Sequence, residues 1–296
     1  VLDVFFAFPG VLLALVIVGL RLSVKDWNPT VFARFGDRHV VASQAPDGAF
    51  IDEGTGYDGQ YFYRIARDPF SRADRVDGVD LDRPAFRTRR IVYPAAAWAL
   101  SAGGRQAIVP WTLIGANVLA WTLLAWGIAT AASEEGASAW WGLLAVSWPG
   151  FLIALTGNLS ELSVGAAIAW ALVYLRRRRW LAATSLLVVA VLARESAVLL
   201  PLGITATTVL RRIPLAQRWR LARDGDGPPI WCGLAPLAVL VGWLALVDRW
   251  WEGHESETAM AQTADQFGVP LYHQVIQIFG RTDTATETEA FESAEA

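Results

Sequence analysis

The sequence predicts an all-α integral membrane protein, a multi-spanning bundle of about seven to eight helices with one large folded outer loop between its first two membrane segments. Three observations predict it. Of the 296 residues, 54% are hydrophobic, and they gather into long runs instead of recurring at the spacing of a soluble amphipathic helix. Basic residues cluster between those runs, as they do at the cytoplasmic ends of spanning helices. The 15 Trp fall mostly near the ends of the runs, where interfacial aromatic belts form.

A crossing needs about 20 largely apolar residues, and by that measure candidate spans lie at 3–21, 107–132, 139–157, 158–175, 179–193, 194–210 and 229–248. The opening run from Val4 to Leu20 resembles the core of a signal peptide. No basic segment precedes it, however, and Arg21 and Lys25 follow it in place of a cleavage site, so it reads as a first spanning helix. The first residue is Val1 and the only methionine is Met260, so the chain is expected to be part of a longer protein that carries later helices. Arg90 to Ala102 is apolar but roughly 13 residues long against about 20 needed, which fits a tilted crossing completed by its flanks or a re-entrant piece.

Orientation follows from the basic clusters. Arg176, Arg177, Arg178 and Arg179 form one; Arg211, Arg212, Arg218, Arg220 and Arg223 form another. Both are expected to be cytoplasmic, which puts the turns at Gly157 to Glu161 and at Arg194 and Glu195 on the outer side. The loop 22–89, about 68 residues long, exceeds the length at which charge governs translocation, and it is placed outside as well. An even number of crossings must then separate it from the Asn158 turn. Either 90–102 is re-entrant, or one of 107–132 and 139–157 does not cross fully. The chain thus divides into a membrane domain, 1–250, and an outer loop or tail, 251–296, whose Thr/Glu/Ala end reads as partly disordered.

Several classes of function fall away. A net charge of −3 gives no reason for a nucleic-acid partner. Cys232 is the only cysteine, so there is no disulfide framework and no cysteine metal site. His39, His254 and His273 are isolated, and no metal site is predicted; a divalent cation is the one cofactor left open. Asp80-Leu81-Asp82 and Asp224-Gly225-Asp226 match a metal-nucleotide pattern too short to carry weight. There is no P-loop, dinucleotide fingerprint or Gly-x-Ser-x-Gly elbow.

The chemistry-bearing residues gather at the outer face. Within Tyr57-Asp58-Gly59-Gln60-Tyr61-Phe62-Tyr63, one carboxylate stands between a tyrosine and a glycine. A general base needs a carboxylate that a hydroxyl can approach; Gly59 leaves that room, and tyrosines stack on sugar rings. The competing role for Asp58 is to cap the helix that Tyr61 to Arg67 could form. Arg83, Arg87, Arg89 and Arg90 crowd the end of the loop, where the positive-inside tendency disfavours arginine, so a bound phosphate is one reason for them. Snorkelling to headgroups, or pairing with Asp80 and Asp82, is the other. Asn158, Glu161, Arg194 and Glu195 sit at the outward turns of apolar helices, facing either a cavity or one another. Trp250 and Trp251 are belt residues or the lining of a sugar or lipid path.

In this order the features resemble the GT-C superfamily, multi-spanning glycosyltransferases that use polyprenyl-phosphate sugars. The resemblance covers about residues 1 to 250. It rests on a first helix and a long loop with Tyr57-Asp58-Gly59-Gln60-Tyr61-Phe62-Tyr63. Arg87-Thr88-Arg89-Arg90-Ile91-Val92-Tyr93-Pro94 then runs into a helix, followed by Leu155-Thr156-Gly157-Asn158-Leu159-Ser160-Glu161 and Leu192-Ala193-Arg194-Glu195. It looks closest to bacterial mannosyltransferase-like and cell-surface glycopolymer membrane proteins. The resemblance implies an inverting transfer at the outer face of the bacterial plasma membrane, with Asp58 as base. Arg87, Arg89, Arg90 and Arg194 would then hold the donor phosphate, while Tyr57, Gln60, Tyr61, Asn158, Glu161 and Glu195 line the substrate. The partners implied are a polyprenyl-phosphate sugar, a glycan, lipid or protein acceptor, and the bilayer. The rival readings are a lipid-linked glycan transporter or polymerase, and a membrane scaffold without catalysis.

Overall fold

The computed structural model describes residues 2–73, 75–211 and 227–253. Arg212, Arg218, Arg220, Arg223, the Asp224-Gly225-Asp226 turn, His254, His273 and the tail from 254 onward lie outside them. The described chain is mostly helical, with two small two-stranded sheets.

Helix α1 spans Leu2–Ser23 and carries Pro9 inside it. A layer of short strands and helices follows. Its strands β1 (Phe35–Gly36) and β2 (Ile51–Asp52) pair in parallel, Phe35 opposite Ile51. Helix α2, Gly59–Arg67, comes next, then β3 (Arg75–Val76) and β4 (Val79–Asp80) as an antiparallel hairpin. Asp77 and Gly78 turn that hairpin with φ of 50° and 74°, the left-handed pair that an Asp-Gly dipeptide supplies. Two short helices, α3 (Pro84–Thr88) and α4 (Val92–Leu100), return the chain to the bundle.

The long helices are α5 (Val109–Glu134), α8 (Glu161–Arg176), α9 (Trp180–Ala193), α10 (Leu199–Leu210) and α11 (Trp231–Trp250). Between α5 and α8 lie the short α6 (Trp141–Val146) and α7 (Pro149–Thr156). Two of these, α5 and α11, are long and apolar enough to cross a membrane, and they lie within two residues of the predicted spans 107–132 and 229–248.

Predicted span 3–21 lies within α1, and the remaining ones are shorter or interrupted. Span 139–157 divides at Ser147 and Trp148, because Pro149 cannot donate a helical hydrogen bond and opens α7 instead. Span 194–210 begins with a 3₁₀ turn, Glu195–Val198, before α10. Arg90 to Ala102 shrinks to the nine residues of α4.

Helix α5 is the hub, packed by α1, α4, α6 and α8, while α9 and α10 pack against α11. The main core joins bundle and loop: Phe32, Phe35 and Tyr63 from the loop share it with Tyr93, Leu113, Trp121, Leu155 and Leu162. Tyr93 and Asn117 form a polar network inside it, in which Asn117 Oδ1 is left without a partner. The Tyr93 hydroxyl donates to the Leu113 carbonyl at 2.9 Å. Asn117 Nδ2 donates to that hydroxyl at 3.0 Å and to the Ala154 carbonyl at 3.2 Å. Outside the core, Leu12, Leu15, Val16 and Leu20 of α1 and Leu234, Val239, Val241 and Leu246 of α11 are exposed. Helices greasy on their outer faces as well as their inner ones match an apolar solvent.

Candidate functional site

Helix α2 presents Asp58 at its N-cap position, yet the side chain makes no capping hydrogen bond. The Asp58 backbone carbonyl alone accepts from Tyr61 and Phe62. Freed from capping, the carboxylate reaches two arginines: Oδ1 lies 2.7 Å from Arg87 Nη1 and Oδ2 lies 3.5 Å from Arg90 Nη1. Gly59 lets this happen. A Cβ there would overlap the carbonyl oxygens of Gly157 and Ala33, so α2 begins in backbone contact with the Gly157 turn.

Arg87 is held on both sides. Its Nε and Nη2 grip the two carboxylate oxygens of Asp82, each at 2.8 Å, leaving Nη1 for Asp58. Its guanidinium also lies 4.0 Å from the Tyr61 ring centroid. Burial would lower the Arg87 pKa, but the Asp82 hydrogen bonds and the Asp58 charge outweigh it and hold it above its ordinary value. Burial would likewise raise Asp82, and the Arg87 hydrogen bond outweighs it and keeps that carboxyl below its ordinary value. The pair is charged at neutral pH, and Arg87 has little left to offer a ligand. Phe86 is a hub that sequence reasoning passed over: the guanidinium groups of Arg83, Arg87 and Arg90 lie 5.0, 5.5 and 4.9 Å from its ring.

Arg90 is held more loosely. Besides Asp58, it meets Glu195 Oε2 through Nε at 3.4 Å. Arg194 pairs with Glu161 and lies within electrostatic reach of Arg90, Glu195, Asp58 and Tyr57. The predicted residues Asp58, Arg87, Arg90, Glu161, Arg194 and Glu195 thus form one chain of alternating charges, drawn from α2, the α3–α4 segment, the start of α8 and the end of α9. Tyr57 borders it, 40% exposed. Asp58 itself is accessible, with 37% of its side chain exposed.

Other predicted residues stand elsewhere. Arg89 turns to Asp248 of α11, at 3.0 Å, a partner the sequence hid by placing it at the end of an apolar run. Gln60 is fully buried and spent on the backbone, accepting from the Gly36 amide at 3.1 Å and donating to the Thr55 carbonyl at 2.8 Å. Tyr61 is buried against Leu81, Val247 and Trp251. Its hydroxyl is pushed well above its ordinary pKa by burial and then by Asp82, so it stays a neutral phenol. Asn158 is fully buried with φ of 50°, and neither of its amide atoms has a hydrogen-bond partner. A buried amide left so costs about 1–3 kcal/mol, a free energy that a bound polar group recovers.

An apolar groove of about 370 Å³ lies between α4 and α11, lined by Trp98, Trp243, Leu246, Trp250, Thr88 and Ile91, the last two next in sequence to Arg87, Arg89 and Arg90. Two indoles tie the α3–α4 segment to α11 and its end: Trp243 Nε1 donates to the Arg89 carbonyl at 2.9 Å, and Trp251 Nε1 to Thr88 Oγ1 at 3.1 Å. Among the described residues, no three His, Cys, Asp or Glu side chains gather as they would around a metal ion. The site is therefore a part-exposed carboxylate among guanidinium groups, and the segment that carries Arg87 and Arg90 also supplies Thr88 and Ile91 to a groove fit for a hydrocarbon. Comparison with protein-family models, with curated proteins and with solved structures finds no match for the chain.

Proposed function

We propose that the chain is a multi-spanning membrane glycosyltransferase of the GT-C kind, with about seven to eight membrane-embedded helical segments around α5 and α11. It works at the outer face of a bacterial plasma membrane and transfers a sugar from a polyprenyl-phosphate donor to an acceptor hydroxyl. The observation that carries this reading is the release of Asp58 from its cap and its placement beside Arg90, whose segment also supplies Thr88 and Ile91 to the groove between α4 and α11.

The geometry divides the labour. Donor phosphate competes with the Asp58 and Glu195 carboxylates for Arg90, whose contacts of 3.5 and 3.4 Å are the loosest in the chain of charges. Arg194 stands on the same side, and the prenyl tail follows the groove. Arg87 remains with Asp82 and acts as a positioning residue for Asp58. Once phosphate holds Arg90, the Asp58 carboxylate has a lone pair free. The acceptor oxygen bonds to the anomeric carbon and loses its proton to Asp58, while the bond from that carbon to phosphate oxygen breaks. Its electron pair leaves on the polyprenyl phosphate, where Arg90 and Arg194 meet the growing charge. Attack opposite the leaving group inverts the anomeric centre.

The test is transfer from labelled polyprenyl-phosphate sugars by wild type and Asp58→Asn. The amide keeps the shape and cannot take a proton, so a loss of about 10²–10⁴-fold is expected at unchanged folded yield. Full activity in the variant sinks the proposal, and movement of lipid-linked glycan without transfer replaces it with a transporter.

A further inference from the structure

A second cationic site lies at the end of α1. Arg21, Lys25 and Arg34 face a pocket of about 560 Å³ whose one carboxylate is Asp52. Among the described residues, none of these three cations forms an ion pair, in contrast to Arg87, Arg89, Arg90 and Arg194. Each is aimed by its own neighbours. Arg21 donates through Nη2 to the Val31 carbonyl at 3.0 Å, and its Nε is buried without a partner. The Lys25 ammonium stands 4.1 Å from the Phe50 ring centroid, and the Arg34 guanidinium 5.0 Å from that of Tyr57. The remaining wall is apolar, with Ile17, Leu20 and Val24 on α1, and Leu20 and Val24 open outward.

Three cations against one carboxylate leave two positive charges unbalanced in a half-apolar cavity, and the buried donor on Arg21 has nothing to satisfy it. Such a deficit is met by an anion with several acceptor oxygens. The apolar wall continuing onto exposed α1 residues calls for a chain attached to that anion. We propose that this pocket binds the phosphate headgroup of an amphiphile, with its hydrocarbon lying along Ile17, Leu20 and Val24. The site depends neither on Asp58 nor on the transferase reading, because none of its cations belongs to that chain of charges; Tyr57, which Arg34 faces, is the side chain the two share.

Decyl phosphate titrated against the full chain in an uncharged maltoside micelle, read by native mass spectrometry, tests it. Wild type should bind in preference to inorganic phosphate. Lys25→Gln/Arg34→Gln should lose on the order of tenfold in affinity or more, and Asp52→Asn should bind several-fold tighter by removing the opposing charge. Because these changes act in opposite directions, misfolding cannot mimic both. Arg90→Gln should retain this binding event, which separates it from any phosphate at Asp58. Dihexanoyl phosphatidylglycerol and geranyl phosphate as competitors assign the source: stronger displacement by the first names a bilayer lipid, by the second an isoprenoid. Equal binding by wild type and Lys25→Gln/Arg34→Gln, equal competition by inorganic phosphate, or displacement by neither competitor overturns the proposal.

Discussion

Asp58 Oδ1 lies 2.7 Å from Arg87 Nη1 across 29 residues of chain, and Arg87 in turn is clasped through Nε and Nη2 by both oxygens of Asp82. The arginine therefore points one donor outward from a fixed fork. Arg87→Lys keeps the charge and loses the fork, since an ammonium cannot hold one carboxylate at two points and reach another. Transfer should fall by about tenfold or more, with kcat reduced more than KM, because the loss is in the aim of Asp58. Steady-state kinetics on Arg87→Lys and Asp82→Asn check this; wild-type kcat in both removes Arg87 from its positioning role.

Gly59 is predicted to tolerate no side chain. Gly59→Ala sets a methyl against two backbone carbonyls, of Gly157 and Ala33, that have no flexible end to yield. Overpacking of this kind costs about 1–3 kcal/mol. Thermal unfolding in detergent should show a clear drop, whereas Gly48→Ala, which has open space around it but φ of 72°, should cost only the strain of its backbone.

Tyr93→Phe should destabilise the bundle by about 1–3 kcal/mol, because Asn117 Nδ2 loses one of its acceptors in a fully buried site. Asn117→Leu on the Tyr93→Phe background should recover part of that cost by removing the stranded amide. Thermal or chaotrope unfolding of the single and double variants measures the coupling; strict additivity would refute the network.

Acid should loosen the layer between α1 and α4 through Asp82. Its folded pKa is below the ordinary value, so its contribution to stability is present above that value, 3.8, and is lost as pH falls through the depressed one. Base acts through Tyr63, which burial and then its hydrogen bond to Asp77 hold above the ordinary 10. That contribution is complete below pH 10 and is lost as pH climbs beyond it. Asp82→Asn should flatten the acid arm of the unfolding midpoint against pH, and Tyr63→Phe the alkaline one.

Helices α5 and α11 were legible because each is an unbroken apolar run, and a run that long has one cheap solution for its backbone. Span 139–157 was not, since Pro149 sits inside a stretch whose apolar content hides the break. Asp58 stood out by its neighbours Tyr57 and Gly59, and the chain of charges through Arg90, Glu195, Arg194 and Glu161 was foreshadowed by their shared side. Which arginine meets which carboxylate was hidden, because Arg89 and Arg90 fall in the break between α3 and α4, where the turn of the backbone, and no regular repeat, sets side-chain direction. Arg89 and Arg90 are neighbours in sequence, yet one faces Asp248 and the other Asp58. The Arg21, Lys25 and Arg34 cluster escaped notice for a related reason: the first two look like ordinary charges closing a helix, and the third comes only after a turn.

The indole bonds from Trp243 to Arg89 and from Trp251 to Thr88 join residues 154 and 163 positions apart. Contacts between Asp58 and Arg87 can form as soon as the first hundred or so residues have left the ribosome. Residues 88 and 89 must wait until the last described helix has been made and docked, so assembly of this face is finished from the far end of the chain.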